Sequence, residues 1–333
     1  MVNPNKPLYI ESTRGGYRET IHEVHAVLCD TNGDILAHYG DPSLATFERS
    51  VAKPIQLMTM IQARPPLLDE CNYKEIAVMA SSHSGEPGHV ETIKGLLEKY
   101  GISEDLFLCG THPAVITEIG YEYTRNGIPP LPIHHNCSGK HTSMLLACQH
   151  NGWQYELYNR IDHPVQVAIF KNMGKYADME PDLLKHGPDG CGVPSFWLDL
   201  RSIALTSARF ADPDFGDDFE IRIREKIFDA YHQASWWTAG SDRIDFEMNR
   251  ESDGKWLGKG GGEAVFGVSF RDRGLGLVLK VIDGKYEAVP VALLYIMREW
   301  DLITSEQLER LSRWIEVKRY NSPGWDIGVF RIV

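Results

Sequence analysis

The sequence predicts a mixed α/β (α+β) chain, with one antiparallel sheet built from the N- and C-terminal segments and a mainly helical lobe inserted between them. Three observations carry this reading. V-H-A-V-L-C-D (24–30) and I-L-A-H-Y (35–39) flank T-N-G-D, a hairpin pattern with an Asn-Gly turn. Residues 263–270 and 275–282 flank R-D-R-G, a second hairpin pattern. Between the two, residues 53–63, 89–100, 140–150, 163–176, 196–210 and 219–237 repeat apolar side chains at helical spacing.

Taken in order, the polar turn G-D-P-S (40–43) gives way to F-E-R-S-V-A-K-P-I-Q (47–56), which opens the first helical run. The short apolar segment 76–80 delivers the chain into S-S-H-S-G-E (81–86), and the helix over 89–100 closes on Gly101, a glycine C-cap. Residues 290–300 and 305–314 suggest two closing helices. No repeat, low-complexity linker or sharp boundary interrupts the chain. A single domain of two packed lobes is therefore expected: a sheet lobe of about residues 1–50 and 255–333, and a helical lobe of about residues 51–254. That plan sets Ser50 at the lobe junction and brings Lys259 to it from the start of a C-terminal strand.

At 333 residues the chain can bury a large core, and its 43% hydrophobic and 24% charged content is ordinary for a globular protein. A formal charge of -12 without lysine or arginine clusters speaks against a nucleic-acid surface. Six scattered cysteines read as reduced thiols rather than a disulfide framework. The opening M-V-N-P-N-K-P-L-Y-I lacks the apolar core of a signal peptide, and no run approaches the roughly 18 apolar residues of a membrane span. The expected location is the cytoplasm, and the expected partners are a small-molecule substrate and a second copy of the chain, with no nucleic acid and no membrane.

Chemistry concentrates in a few loops. Ser50 and Lys53 stand three apart, a spacing that places a hydroxyl and an amine on one helical face. A serine needs a base beside it, and a lysine serves once burial and a neighbouring cation such as Arg49 suppress its charge. Alone, S-x-x-K is equally a helix cap followed by a solvent-facing lysine, and Pro54 strains Lys53 unless the pair lies in a first turn. Ser82 in S-S-H-S-G-E and Lys259 in K-G-G-G-E complete the order serine–lysine, serine loop, lysine–glycine found in serine β-lactamases.

Two further loops, H-H-N-C-S-G-K-H (134–141) and G-P-D-G-C-G-V-P (187–194), each set a cysteine among glycines before a helix. Cys137 and Cys191 are soft ligands that Lys140 or His141 can join around zinc, or they are two unconnected thiols, and spacing alone favours the second reading. Cys29, Cys71, Cys109 and Cys148 read as core. His22, His25 and His38 read as packing or surface residues, and His83 and His89 flank the second serine. In G-S-D-R-I-D-F-E-M (240–248), Arg243 and Asp245 form either a salt-bridged turn or a partner for a substrate carboxylate.

With these segments side by side, the chain resembles the rhizobial-type L-asparaginases, the asparaginase II family. The matching stretches are R-G-G-Y-R-E-T-I-H (14–22), G-D-P (40–42), R-S-V-A-K-P-I-Q (49–56), S-H-S-G-E (82–86), C-G-T-H-P (109–113), N-C-S-G-K-H (136–141), D-G-C-G-V-P (189–194), G-S-D-R-I-D (240–245) and K-G-G-G-E (259–263). They cover nearly the whole chain in the family's order, and N-C-S-G-K-H with D-G-C-G is the most specific part.

The resemblance implies a serine-β-lactamase-like fold and hydrolysis of L-asparagine to L-aspartate and ammonia. It also implies two Ser–Lys pairs, Ser50 with Lys53 and Ser82 with Lys259, and a zinc ion on Cys137, Lys140 and Cys191 with no organic cofactor. Arg49 and Asp189 are implied for the substrate's α-groups, with His141 and Arg243 nearby. Thr20, Phe246 and the order Gly262–Glu263–Ala264 depart from the family pattern and bear on substrate preference and efficiency. The alternatives are another amidohydrolase, a glutaminase or β-lactam-type acyl hydrolase, and a non-catalytic amino-acid-binding protein.

Overall fold

The computed structural model describes residues 6–333; the first five, part of the stretch read above for a leader, lie outside the described residues. The chain divides into two compact units. One holds the described residues up to Thr46 together with Leu198–Asp212 and Gly258–Val333. The other holds Phe47–Trp197 and Pro213–Leu257.

The first unit is the antiparallel sheet made from both chain ends. Its strands run in the order Val317–Tyr320, Asp326–Ile332, Leu8–Arg14, Tyr17–Cys29, Leu275–Val281, Val265–Phe270, Trp256–Gly261, with Ile35–Tyr39 paired to Tyr17–Cys29 off that path. Both expected hairpins are present, Ala26 facing Tyr39 in the first and Val265 facing Lys280 in the second. Val265–Phe270 is buried along its whole length and Leu275–Val281 from Gly276 onward. A strand buried at every position has both faces covered, which is why V-F-G-V-S-F and L-G-L-V-L-K-V run nearly continuously apolar instead of alternating. The helix Leu200–Ala211 comes so close at Gly276 that a Cβ there would lie 2.0 Å from the Ala204 carbonyl oxygen. Arg201 Nε donates to Gly33 O of the first hairpin turn at 2.8 Å and fastens that helix.

The structure departs from the sequence reading in two ways. Residues 196–199, expected as helix, belong to the strand Pro194–Asp199, and the helix begins only at Leu200. Phe196 and Leu198 are buried while Trp197 between them is exposed, which is the two-residue period of a strand. Asp199 then caps the helix by accepting from Ser202 N at 2.7 Å. The strands Leu8–Arg14, Val317–Tyr320 and Asp326–Ile332 had no clear apolar signal, because the first buries the polar Glu11, Ser12 and Thr13 and the other two are mostly no more than half-buried.

The second unit is mainly helical. Its helix Lys53–Ala63 is buried from Lys53 to Ile61 and is an interior helix rather than an amphipathic one. Pro54 stands in its first turn, where no amide hydrogen is needed, so Lys53 keeps helical angles (φ -58, ψ -36). Tyr73–Met79 starts on a reciprocal cap between Asn72 and Glu75, and Pro87–Tyr100 ends on the left-handed Gly101 as expected. Ser138–Asn151 approaches the end of Tyr73–Met79 so closely that a Cβ on Gly139 would lie 2.1 Å from Val78 O. The glycine of N-C-S-G-K-H is thus a packing requirement. It sets the start of this helix against the loop that carries Ser82.

Candidate active site

Ser50 lies in the 3₁₀ turn Arg49–Ala52 that runs straight into the helix of Lys53, and Lys53 N closes the turn on Ser50 O. The ammonium of Lys53 does not reach back along its own turn. It donates to Ser81 O at 2.5 Å and Ser82 Oγ at 2.9 Å and lies 3.5 Å from Asn136 O. Those three acceptors account for all three of its N–H groups. The structure therefore joins Lys53 to the second serine loop, while the Ser50 hydroxyl makes no hydrogen bond among the described residues. Burial lowers the Lys53 pKa, against the pull of the Cys137 and Cys191 sulfurs and with the help of the Lys140 charge. That is the direction a lysine base needs.

Arg49 holds a left-handed backbone (φ 53), a strained conformation for a side chain of this size. Its N–H donates to Ser195 Oγ at 3.2 Å and its Nε to Asp189 Oδ1 at 2.7 Å. Burial pushes Asp189 up, but Lys140 and Arg49 outweigh burial and hold the carboxyl below its ordinary value. A carboxylate and a guanidinium side by side match the α-ammonium and α-carboxylate of a free amino acid.

His141 is fully buried, and its Nδ1 lies 2.6 Å from Tyr158 Oη. Tyr158 accepts from Leu108 N, so its own proton goes to His141 Nδ1 and the imidazole proton sits on Nε2. That Nε2–H has no partner among the described residues. Burial and the Lys140 charge push His141 down to about 3, so it is a neutral donor with an open hydrogen bond.

The two cysteine loops meet. Cys137 Sγ, Cys191 Sγ and an Asp189 carboxylate oxygen all lie within 4.8 Å of one another. Lys140 Nζ donates to Cys191 Sγ at 3.2 Å. The neighbouring Cys137 thiol and the Lys140 charge lower Cys191 to about 5 against its burial, while the same thiol contact and burial raise Cys137. Burial lowers Lys140, but the sulfurs and Asp189 outweigh it and raise its pKa overall. Two soft sulfurs, one of them with a lowered pKa, with a carboxylate and a lysine in reach form a donor set that suits zinc. Asp189 enters this cluster as well as the Arg49 pair, a double position that spacing did not reveal.

The loop of Ser82 is held from several sides. Arg243 Nη1 donates to Ser82 O at 2.7 Å, and its Nη2 lies 3.5 Å from Asp245 Oδ2. The Glu86 carboxylate accepts from Ser84 Oγ, Ser241 N and Ser241 Oγ at 2.6, 2.8 and 2.9 Å. His83 Nδ1 accepts from Gly85 N at 3.1 Å and its Nε2 meets Ser138 Oγ at 2.9 Å, tying the loop to the helix that carries Lys140. Ser195 and Tyr158 carried no distinguishing signal in the sequence, and Ser84 stood there only as a member of S-S-H-S-G-E. Lys259 belongs to the sheet unit, where it is buried on the strand Trp256–Gly261 and donates to Gly260 O. Among the described residues no helix is long and apolar enough to cross a membrane.

The family model described as L-asparaginase II matches residues 10–332. No curated protein matches the chain in sequence. Among solved structures, a β-lactamase from Mycobacterium bovis is similar at 12% identity and a TM-score of 0.40, over 83% of this chain and 94% of that one. A Bacillus glutaminase is similar at 12% identity and a TM-score of 0.38, over 84% and 91%.

Proposed function

The chain belongs to the L-asparaginase II family and is an amidohydrolase, and from that premise we propose that it hydrolyses free L-asparagine to L-aspartate and ammonia by Ser–Lys chemistry. The carrying observation is the buried Lys53, bonded to Ser82 Oγ at 2.9 Å and three residues from Ser50 in one continuous turn. In this reading Ser50 attacks the side-chain carboxamide once the amine of Lys53 turns from the Ser82 loop to the serine three residues before it. Neutral Lys53 takes the proton, Ser82 relays it to the leaving ammonia, and water then resolves the aspartyl ester. Lys259 serves as the second lysine. Arg49 and Asp189 hold the α-carboxylate and α-ammonium, and His141 Nε2 donates to a substrate oxygen.

Zinc on Cys137, Lys140 and Cys191, with Asp189 in reach, would supply positive charge beside the substrate site when bound. Protein purified without added metal is expected to carry about one zinc per chain, and the Cys137→Ser, Cys191→Ser double variant none. Metal retained by a folded double variant would place the ion elsewhere.

Ammonia release from a panel of free amides, with ring opening of a chromogenic β-lactam followed by its colour, tests the substrate: asparagine should lead, whereas faster glutamine or β-lactam turnover would move the reading to the alternatives. Lys53→Arg, which keeps the charge but cannot give it up, should lower kcat at least about 10³-fold with the fold intact. Acid quench during turnover followed by peptide mapping should place the aspartyl ester on Ser50. An ester on Ser82 would reverse the roles of the two serines.

A further inference from the structure

A second hydroxyl–imidazole–carboxylate array lies wholly within the sheet unit. Thr20 Oγ1 is 2.7 Å from His22 Nε2, and His22 Nδ1 is 2.6 Å from Asp283 Oδ2. Behind Thr20, Ser12 Oγ lies 2.6 Å away and in turn receives a hydrogen bond from Arg319 Nη1 at 3.3 Å. The direction of this chain follows from its acceptor end. The Asp283 carboxylate can only accept, so the neutral His22 ring carries its proton on Nδ1, its Nε2 accepts from Thr20 Oγ1, and Thr20 in turn accepts from Ser12. That is the tautomer in which an imidazole accepts a proton from a nucleophile while a carboxylate orients it.

The local backbone suits the arrangement. Ser12 faces Thr20 and Thr13 faces Arg18, so the pairing slips at Glu19, which has no opposite residue. Bulges of this kind re-aim the neighbouring side chain. Thr20 is exposed while Ser12 and His22 are buried, so the nucleophilic end of the relay meets solvent and the basic end is protected. Lys285 N steadies Asp283 by donating to its Oδ1 at 3.1 Å. Arg319, which also pairs with Glu19, is the cation one hydroxyl away from the reacting oxygen.

We propose that Thr20 is a second nucleophile, separate from the amide-hydrolysing serines, that takes the acyl group of activated esters with His22 as base and Asp283 as its orienter. In the step, Thr20 Oγ bonds to the acyl carbon and its proton passes to His22 Nε2. The bond from the acyl carbon to the leaving oxygen breaks, that oxygen takes the proton from His22, and a threonine ester remains. Water repeats the sequence and releases the acid.

The probe is p-nitrophenyl acetate, with intact-mass and peptide mapping before and after hydroxylamine, which cleaves esters and spares acetylated lysines. A hydroxylamine-sensitive acetyl group is expected on the peptide that carries Thr20, and Thr20→Val should remove it without moving the melting temperature. His22→Gln should slow the labelling on the order of 10²-fold. If His22→Gln fails to fold, Asp283→Asn, altered at a half-exposed carboxylate, decides in its place and should also slow the labelling. Absence of the ester on Thr20 in the folded wild type, or labelling at an unchanged rate in the folded His22 or Asp283 variant, overturns the proposal.

Discussion

Glu48, next to Arg49 and two residues before Ser50, is fully buried, and neither of its carboxyl oxygens has a hydrogen-bond partner among the described residues. Burial raises its pKa well above the ordinary carboxylate value, so the folded chain prefers the neutral acid. The unfolded chain ionises near pH 4.3, which draws the equilibrium toward unfolding as pH rises from there to the folded pKa. The stabilising preference is therefore whole at low pH and lost on the way up. Glu48→Gln cannot ionise, so its melting temperature relative to wild type should climb as pH rises above about 4.3. A difference that stays flat across that range would show Glu48 charged in the fold. At this scale the sequence shows which residue types are present but not their partners. Ser50, Lys53, Ser82, Cys137 and Cys191 stand out by motif, yet the reach of Lys53 to Ser82 depends on where a loop 29 residues away returns. Nothing local to Glu48 in the sequence shows that it is buried.

Among the elements, the loop of Ser82 and the loop of Arg243 are joined through Glu86, and Gly240 makes the joint possible. Its φ is 107, and a Cβ there would lie 1.8 Å from Ser84 Oγ and 2.4 Å from Glu86 Oε1. Gly240→Ala should therefore break the Glu86 clamp, lower stability by at least about 2 kcal/mol and reduce kcat. Gly101 is the control. Its φ is also positive (65), but nothing lies within 4 Å of the added carbon. Gly101→Ala should lose about 1 kcal/mol and keep full activity, measured by thermal melting and ammonia release. Equal activity in the two variants would show that the clamp does not position the serine loop. Elements with strong local signals were legible: the Asn-Gly hairpin, the run behind Pro54 and the helix ending on Gly101. Pro194–Asp199 was not, because its short apolar run joins the helical pattern after it, and only the alternation at Trp197 separates the two.

For the whole molecule, the sheet unit and the helical unit differ in how far apart their partners lie in sequence. Leu8–Arg14 pairs with Asp326–Ile332, Ile10 facing Ile332 and Ser12 facing Phe330, so the sheet closes only when both ends of the chain have come together. Tyr17–Cys29 likewise pairs with Leu275–Val281. The helices of the other unit form on local hydrogen bonds, and Tyr73–Met79 carries its own reciprocal cap. The hairpins near both ends were visible in the sequence, whereas the pairing of the terminal strands and the place of Leu198–Asp212 in the sheet unit leave no local trace. Loop closure must be met before long-range strand pairs contribute, so sheets of this connectivity fold late. Pulse-labelled hydrogen exchange during refolding should show amides of Lys53–Ala63 and Ser138–Asn151 protected before those of Leu8–Arg14 and Asp326–Ile332. A variant that deletes residues 317–333 should keep early helical protection but leave unprotected the amides of Leu8–Arg14 that face Asp326–Ile332, because that edge loses its partner while the edge paired with Tyr17–Cys29 keeps its own. Simultaneous protection of the strands and helices in the full chain would show instead that the two ends meet before the insertion is ordered.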